Sequence, residues 1–140
     1  MAAFEIDDDK TRIDRDIVWS FLSTEAYWGR WRTRNHVERQ IDLAWRVVGA
    51  YLTETGAMVG YARAFSDGVG SAYLGDVFVV PQARGLGIGK ALVRAMVEDG
   101  PGADFRWMLH TADADDLYRQ FGFTEPTDTF LERPDRRARA

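Results

Sequence analysis

The segment 76–92, DVFVVPQARGLGIGKAL, limits the possible folds of this chain more than any other. A run rich in β-branched residues ends at Pro81, glycines alternate at positions 85, 87 and 89, and an amphipathic stretch follows at once. Strand, glycine loop and helix in immediate succession require the loop to sit at the end of a sheet. There the unpaired N–H groups of the first helical turn point outward, and the macrodipole adds partial positive charge. Glycines let an anion approach the backbone closely, and Arg84 and Lys90 stand beside it.

Two nucleotide-binding patterns fail against these letters. A triphosphate loop needs Gly, four residues, then Gly-Lys-Ser/Thr, but Gly89-Lys90 is followed by Ala91 and preceded at the required spacing by Arg84. A dinucleotide fingerprint begun at Gly85 or Gly87 ends on Lys90 or Leu92 in place of glycine.

Around this junction the hydrophobic period changes twice. Ile13, Ile17, Val18, Phe21 and Leu22 recur at helical spacing and predict a helix near 14–23; a second, over 35–43, would turn Val37, Ile41 and Ala44 inward. The stretches 46–52, 58–65 and 72–80 are β-branched and aromatic, and TETGA and SDGVG between them supply turn residues, which predicts an antiparallel three-strand meander. Helix is expected from 87 to 98, strand over 105–111, a short helix over 114–121 and a last strand near 127–132.

With 140 residues, 46% of them hydrophobic, the chain can build one core, expected over 1–132. Residues 133–140, RPDRRARA, hold four Arg against one Asp and are expected to form a basic, disordered tail, leaving −7 on the domain. An acidic body argues against nucleic-acid binding. Cysteine is absent and the two histidines stand far apart, so no metal site is expected. The opening MAAFEIDDDK has no basic segment followed by an apolar core, and no apolar run approaches the roughly 18 residues that span a bilayer. A soluble, cytoplasmic protein without membrane contact, monomeric or homodimeric, is the expectation.

Arg84-x-x-Gly87-x-Gly89 after DVFVV, with LYRQFGF at 117–123 about 30 residues further on, resembles the GNAT superfamily of acyl-CoA-dependent N-acetyltransferases. The resemblance covers roughly residues 40–131. It implies an α/β fold with a mixed, largely antiparallel sheet and helices on both faces, and transfer of an acetyl group from acetyl-CoA directly to a primary amine. A small-molecule acceptor is expected over a protein; the alternative is a non-catalytic acyl-CoA-binding module.

By the same resemblance the amides of Arg84, Gly85, Leu86, Gly87, Ile88, Gly89 and Lys90 would hold the pyrophosphate, and Val77, Phe78 and Val79 the pantetheine arm, with an oxyanion donor near Val79. Tyr118 is the candidate general acid. Asp76 is the first candidate for general base and His110 the second, and a purely structural role stays open for each. The connector holding Tyr27, Trp28, Arg30, Trp31, Arg32 and Arg34 would frame the acceptor. Its rings suit either clamping an amine or packing the helices, and its arginines suit a carboxylate or phosphate on the acceptor.

Overall fold

The structure, a computed structural model, describes residues 2–137. Strand β1 (Phe4–Asp7) precedes helices α1 (Arg15–Thr24) and α2 (Arg34–Leu43), and the predicted meander follows as β2 (Arg46–Leu52), β3 (Met58–Ser66) and β4 (Ser71–Val79). Helix α3 (Ile88–Val93) continues into a π-helical turn over Arg94–Glu98, and β5 (Arg106–Met108) and α4 (Asp115–Arg119) complete the chain's regular elements. The strands lie in sequence order in one sheet, antiparallel except for the parallel pair β4–β5.

Local chemistry sets the helix starts. The Asp14 carboxylate accepts from the amides of Asp16 and Ile17 ahead of α1, and Thr33 caps α2 in a reciprocal arrangement with His36. Val18, Phe21 and Leu22 of α1 and Val37 and Ile41 of α2 are buried, as their spacing predicts.

Helices cover both faces of the sheet. Phe21 of α1 stacks on Phe78 of β4 with centroids 4.1 Å apart, and Phe78 meets Tyr61, its partner on β3. On the opposite face, Gly60 of β3 lies under α3: an added Cβ would stand 3.0 Å from both Ile88 Cγ2 and Leu92 Cδ1. The glycine therefore sets how closely α3 approaches the sheet, and with it the position of the preceding loop.

Two strand expectations change. The stretch 105–111 pairs only over Arg106–Met108, and no strand forms near 127–132. Pro126 and Pro134 flank that last stretch and, lacking an amide hydrogen, cannot extend a ladder at either end. A local turn, in which the Phe130 amide donates to the Thr127 carbonyl, takes the place of pairing. Among the described residues no helix is long and apolar enough to cross a membrane, and no cluster of His, Asp and Glu is placed to hold a metal ion.

Replacing Gly60 by Val should force α3 away from the sheet and destabilise the fold by about 1–3 kcal/mol, the usual penalty of overpacking, measured by urea denaturation.

Candidate active site

The regular pairing of β3 with β4 breaks at one place. Tyr61 pairs with Phe78 and Arg63 with Gly75, so one extra residue is accommodated on β4 at Asp76–Val77. Asp76 takes φ 53°, the one left-handed non-glycine among the described residues. Such a bulge bends its strand. On the other edge of β4, pairing with β5 ends at Tyr73–Met108, so beyond that point the two strands separate and the β4 edge is open. Here lies a cleft of about 1230 Å³, bounded by β4, the glycine loop, the α1–α2 connector, and residues 110–118.

Asp76 is saturated with donors. Its Oδ1 accepts from Trp28 Nε1 at 2.6 Å and Arg32 Nη2 at 3.0 Å; Oδ2 accepts from Arg32 Nη1 at 2.7 Å and Arg63 Nε at 2.6 Å. Burial alone would raise its pKa, but the hydrogen bonds from Arg32 and the charge of Arg63 outweigh burial and hold it at about 2. These four bonds occupy the carboxylate's acceptor capacity. The expectation of Asp76 as general base is corrected accordingly: a carboxylate this acidic and fully engaged has no means of taking a proton from an amine near neutral pH.

At the other end of the cleft, Gly85 and Gly87 have φ 84° and 82°, and nothing stands within 4 Å of a Cβ at either. Gly87 begins α3 without a side-chain cap, and among the described residues the amides of 85–90 have no hydrogen-bond acceptor. Side chains around the loop serve different ends. Ile88 and Phe78 are buried in the core, leaving only their backbone to a ligand, while Lys90 is exposed. Arg84 donates through Nε to the Val79 carbonyl at 3.2 Å, tying the loop to the strand end. Because the Val80 amide bonds to β3, strand alternation turns the amides of Val77 and Val79 to the open edge.

Between these ends Tyr118 reaches the cleft from α4, 8% exposed. Burial, with the neighbouring Tyr27 and Asp113, pushes its pKa up to about 12, so the hydroxyl keeps its proton at neutral pH. Tyr27 bridges the cleft walls, its hydroxyl accepting from the Ala112 amide at 3.1 Å. Trp28 is engaged by Asp76 and packs edge-on against Tyr27. The Arg137 guanidinium lies 3.6 Å over the Trp31 ring. Asp135 and Arg137 of the basic tail thus line the cleft, whereas 138–140 fall outside the described residues. His110 is exposed; its Nδ1 lies 2.5 Å from the Tyr73 hydroxyl and its Nε2 bonds to Glu132.

Comparison with known proteins agrees with this geometry. The model of the Acetyltransferase (GNAT) family matches residues 15–123. The chain belongs to that family.

A protein of the GNAT family from Xanthomonas campestris pv. campestris is 33% identical, with a TM-score of 0.88 over 96% of this chain and 95% of that one. Glucosamine-6-phosphate N-acetyltransferase from Arabidopsis thaliana shares the fold, with a TM-score of 0.65, 14% identity, and 95% and 99% of the two chains covered. Among curated proteins, serotonin N-acetyltransferase 2, chloroplastic, of Oryza sativa subsp. japonica is 35% identical over 78 residues, 54% of this chain and 39% of that protein. The uncharacterized N-acetyltransferase ycf52 of Porphyra purpurea is 33% identical over 73 residues, 51% and 42% respectively. The chain thus spans about two fifths of the length of the curated relatives it matches.

For this GNAT chain, sequence reasoning missed the Asp76 cluster and the Tyr73–His110–Glu132 chain, both assembled from distant segments. One signal for the first was present: Gly75-Asp76 inside a strand otherwise dominated by apolar and aromatic residues is the kind of interruption that marks a bulge. The connector arginines are also spoken for. Arg32 holds Asp76, Arg30 donates to the Ala26 carbonyl, and Arg34 pairs with Asp16 and Glu38.

Asp76→Asn keeps a residue tolerant of left-handed φ but leaves two cations at the bulge unbalanced. It should destabilise the fold by roughly 3–5 kcal/mol at pH 7, read by urea denaturation. Because the folded pKa of Asp76 is depressed, its contribution is fully present above the unfolded value of about 3.8 and lost as pH falls towards 2. The wild-type advantage over the variant should therefore be flat above about pH 5 and shrink below pH 4.

Proposed function

We propose that this protein transfers the acetyl group of acetyl-CoA directly to a primary amine on a small molecule. The observation that carries this reading is the run of unpaired amides at 85–90 beside the open edge of β4. A pyrophosphate would supply the acceptors those amides lack, at an uncapped helix start where the macrodipole favours negative charge. The open amides of Val77 and Val79 suit the peptide-like pantetheine arm.

In the transfer the neutral amine attacks the thioester carbonyl, an N–C bond forms and the C–S bond breaks. Tyr118 is suited to give its proton to the departing sulfur, since its raised pKa keeps it protonated at neutral pH. A cysteine nucleophile is absent from the sequence, which supports direct attack. A small acceptor is favoured because the Tyr27 bridge and the Asp135–Arg137 segment narrow the far end of the cleft.

With Asp76 engaged, the amine's proton has another way out. His110 bridges Tyr73 at Nδ1 and Glu132 at Nε2; in the tautomer that donates from Nε2 to Glu132, Nδ1 accepts from the Tyr73 hydroxyl. A proton arriving at Tyr73 can then pass to His110, whose exposed ring releases it to water.

Thiol release from acetyl-CoA across a panel of amines tests the function. Tight CoA binding with no release for any amine would leave an acyl-CoA-binding module instead. Tyr118→Phe should lower kcat by about 10²-fold or more with CoA affinity, followed by calorimetry, nearly unchanged. Equal losses in both would remove Tyr118 as the acid. His110→Gln should lower kcat/KM most for strongly basic amines below their pKa and recover as pH rises; a uniform loss at all pH values would mark His110 as structural.

A further inference from the structure

Arg63 contributes to the Asp76 cluster with only part of its guanidinium. Arg32 uses all three of its nitrogens, Nε on the Gly29 carbonyl, Nη1 on Gln40 and Asp76, and Nη2 on Asp76. Arg63 uses Nε alone, 2.6 Å from Oδ2, and among the described residues neither of its Nη atoms has a hydrogen-bond partner. Its one ion-pair partner among them is Asp76.

Two guanidinium groups against one carboxylate leave a net positive charge where the Arg32, Asp76 and Arg63 side chains are 4%, 3% and 13% exposed. Beside a carboxylate already shared with a second cation, a partly sheltered guanidinium edge with free donors is shaped for a planar or tetrahedral oxyanion. The surplus edge faces a space that the sequence leaves empty. Arg63 lies over Gly75, its Nη2 3.5 Å from where a Cβ would stand, and both residues line the cleft. Gly75 directly precedes the bulge at Asp76, on the sheet face that carries α1 and the connector.

We infer that Arg63 recognises an anionic group on the acceptor, so that the preferred substrates are small amines that also carry a carboxylate or a phosphate. This rests on the acetyl-transfer reading above and narrows its acceptor class. The sequence suggested an anion contact from the connector arginines; Arg30 and Arg34 do not line the cleft and every nitrogen of Arg32 is engaged, whereas Arg63 of β3 brings free donors to it.

The experiment compares kcat/KM for ω-amino carboxylates and ω-amino phosphates of increasing chain length with alkylamines and amino alcohols of the same length. The wild type should favour one anionic series by on the order of 10- to 100-fold, the range expected of charge-assisted hydrogen bonds. Which series wins separates carboxylate from phosphate. Arg63→Lys keeps a cation for Asp76 but lacks the fork, and should reduce the anionic-to-neutral ratio mainly through KM. Gly75→Val retains the Arg63–Asp76 pair while covering the open edge, and should reduce the same ratio. No anionic preference in the wild type, or parallel loss for both classes in Arg63→Lys, overturns the inference.

A binding measurement reads the site without turnover. With CoA filling the glycine loop, titrating acetate or inorganic phosphate should shift the Arg63 Nε–Hε NMR signal saturably, with the signal assigned by its loss in Arg63→Lys. No shift with either anion overturns the site. If no amine at all releases thiol, acetyl transfer fails while this titration still decides whether Arg63 binds anions.

Discussion

One carboxylate in an uncommon backbone conformation holds the working part of this molecule in place. Asp76 stands at the extra residue of β4 with φ 53°, a conformation that a non-glycine residue adopts at an energetic cost of order 1–2 kcal/mol. Four hydrogen bonds from Trp28, Arg32 and Arg63 over-determine it. Through them the connector between α1 and α2, the bulge of β4 and the neighbouring strand β3 share a single fixed point. The bulge bends β4 just beyond the point where its parallel pairing with β5, begun at Ser71–Arg106, ends at Tyr73–Met108.

The open edge divides the cleft into two chemical halves. On the loop side the donors are backbone amides, fixed by the αL glycines and the packing of α3 on Gly60. Such donors need no side-chain ordering when an anion arrives. On the connector side the donors and acceptors are side chains: Tyr73, His110, Arg63 and the rings of Tyr27 and Trp31. Backbone geometry can be shared by many sequences, whereas side chains vary freely, and the two halves differ accordingly in how far a family resemblance reaches into them.

That difference also explains what could be read from the sequence. The strand, loop and helix of 76–92 were legible because glycine spacing and apolar periodicity act over a few residues, and the first two helices were legible from apolar spacing for the same reason. The bulge needed the register of β3 against β4, which no local pattern encodes, and so Asp76 read as a candidate base and not as the centre of an ion cluster. His110 stood as a lone histidine because its partners, Tyr73 and Glu132, lie 37 and 22 positions away. Residues 127–132 have the composition of a strand, but two flanking prolines and a local turn decide otherwise.

The charge distribution follows from the same division. The chain carries −4 overall, with most of its carboxylates on the surface, yet both ends of the cleft are built to attract anions. These facts are compatible because exposed charges are screened over about 8–10 Å at physiological salt, while partly buried donors are screened far less. Arg63 illustrates the consequence. On the surface its spare nitrogens would be satisfied by water and would distinguish nothing. At 13% side-chain exposure, beside a carboxylate already claimed by Arg32, the same nitrogens gain most from an oxyanion delivered into the cleft. The cation that helps fix the bulge is therefore also the group best placed to choose what is presented to it.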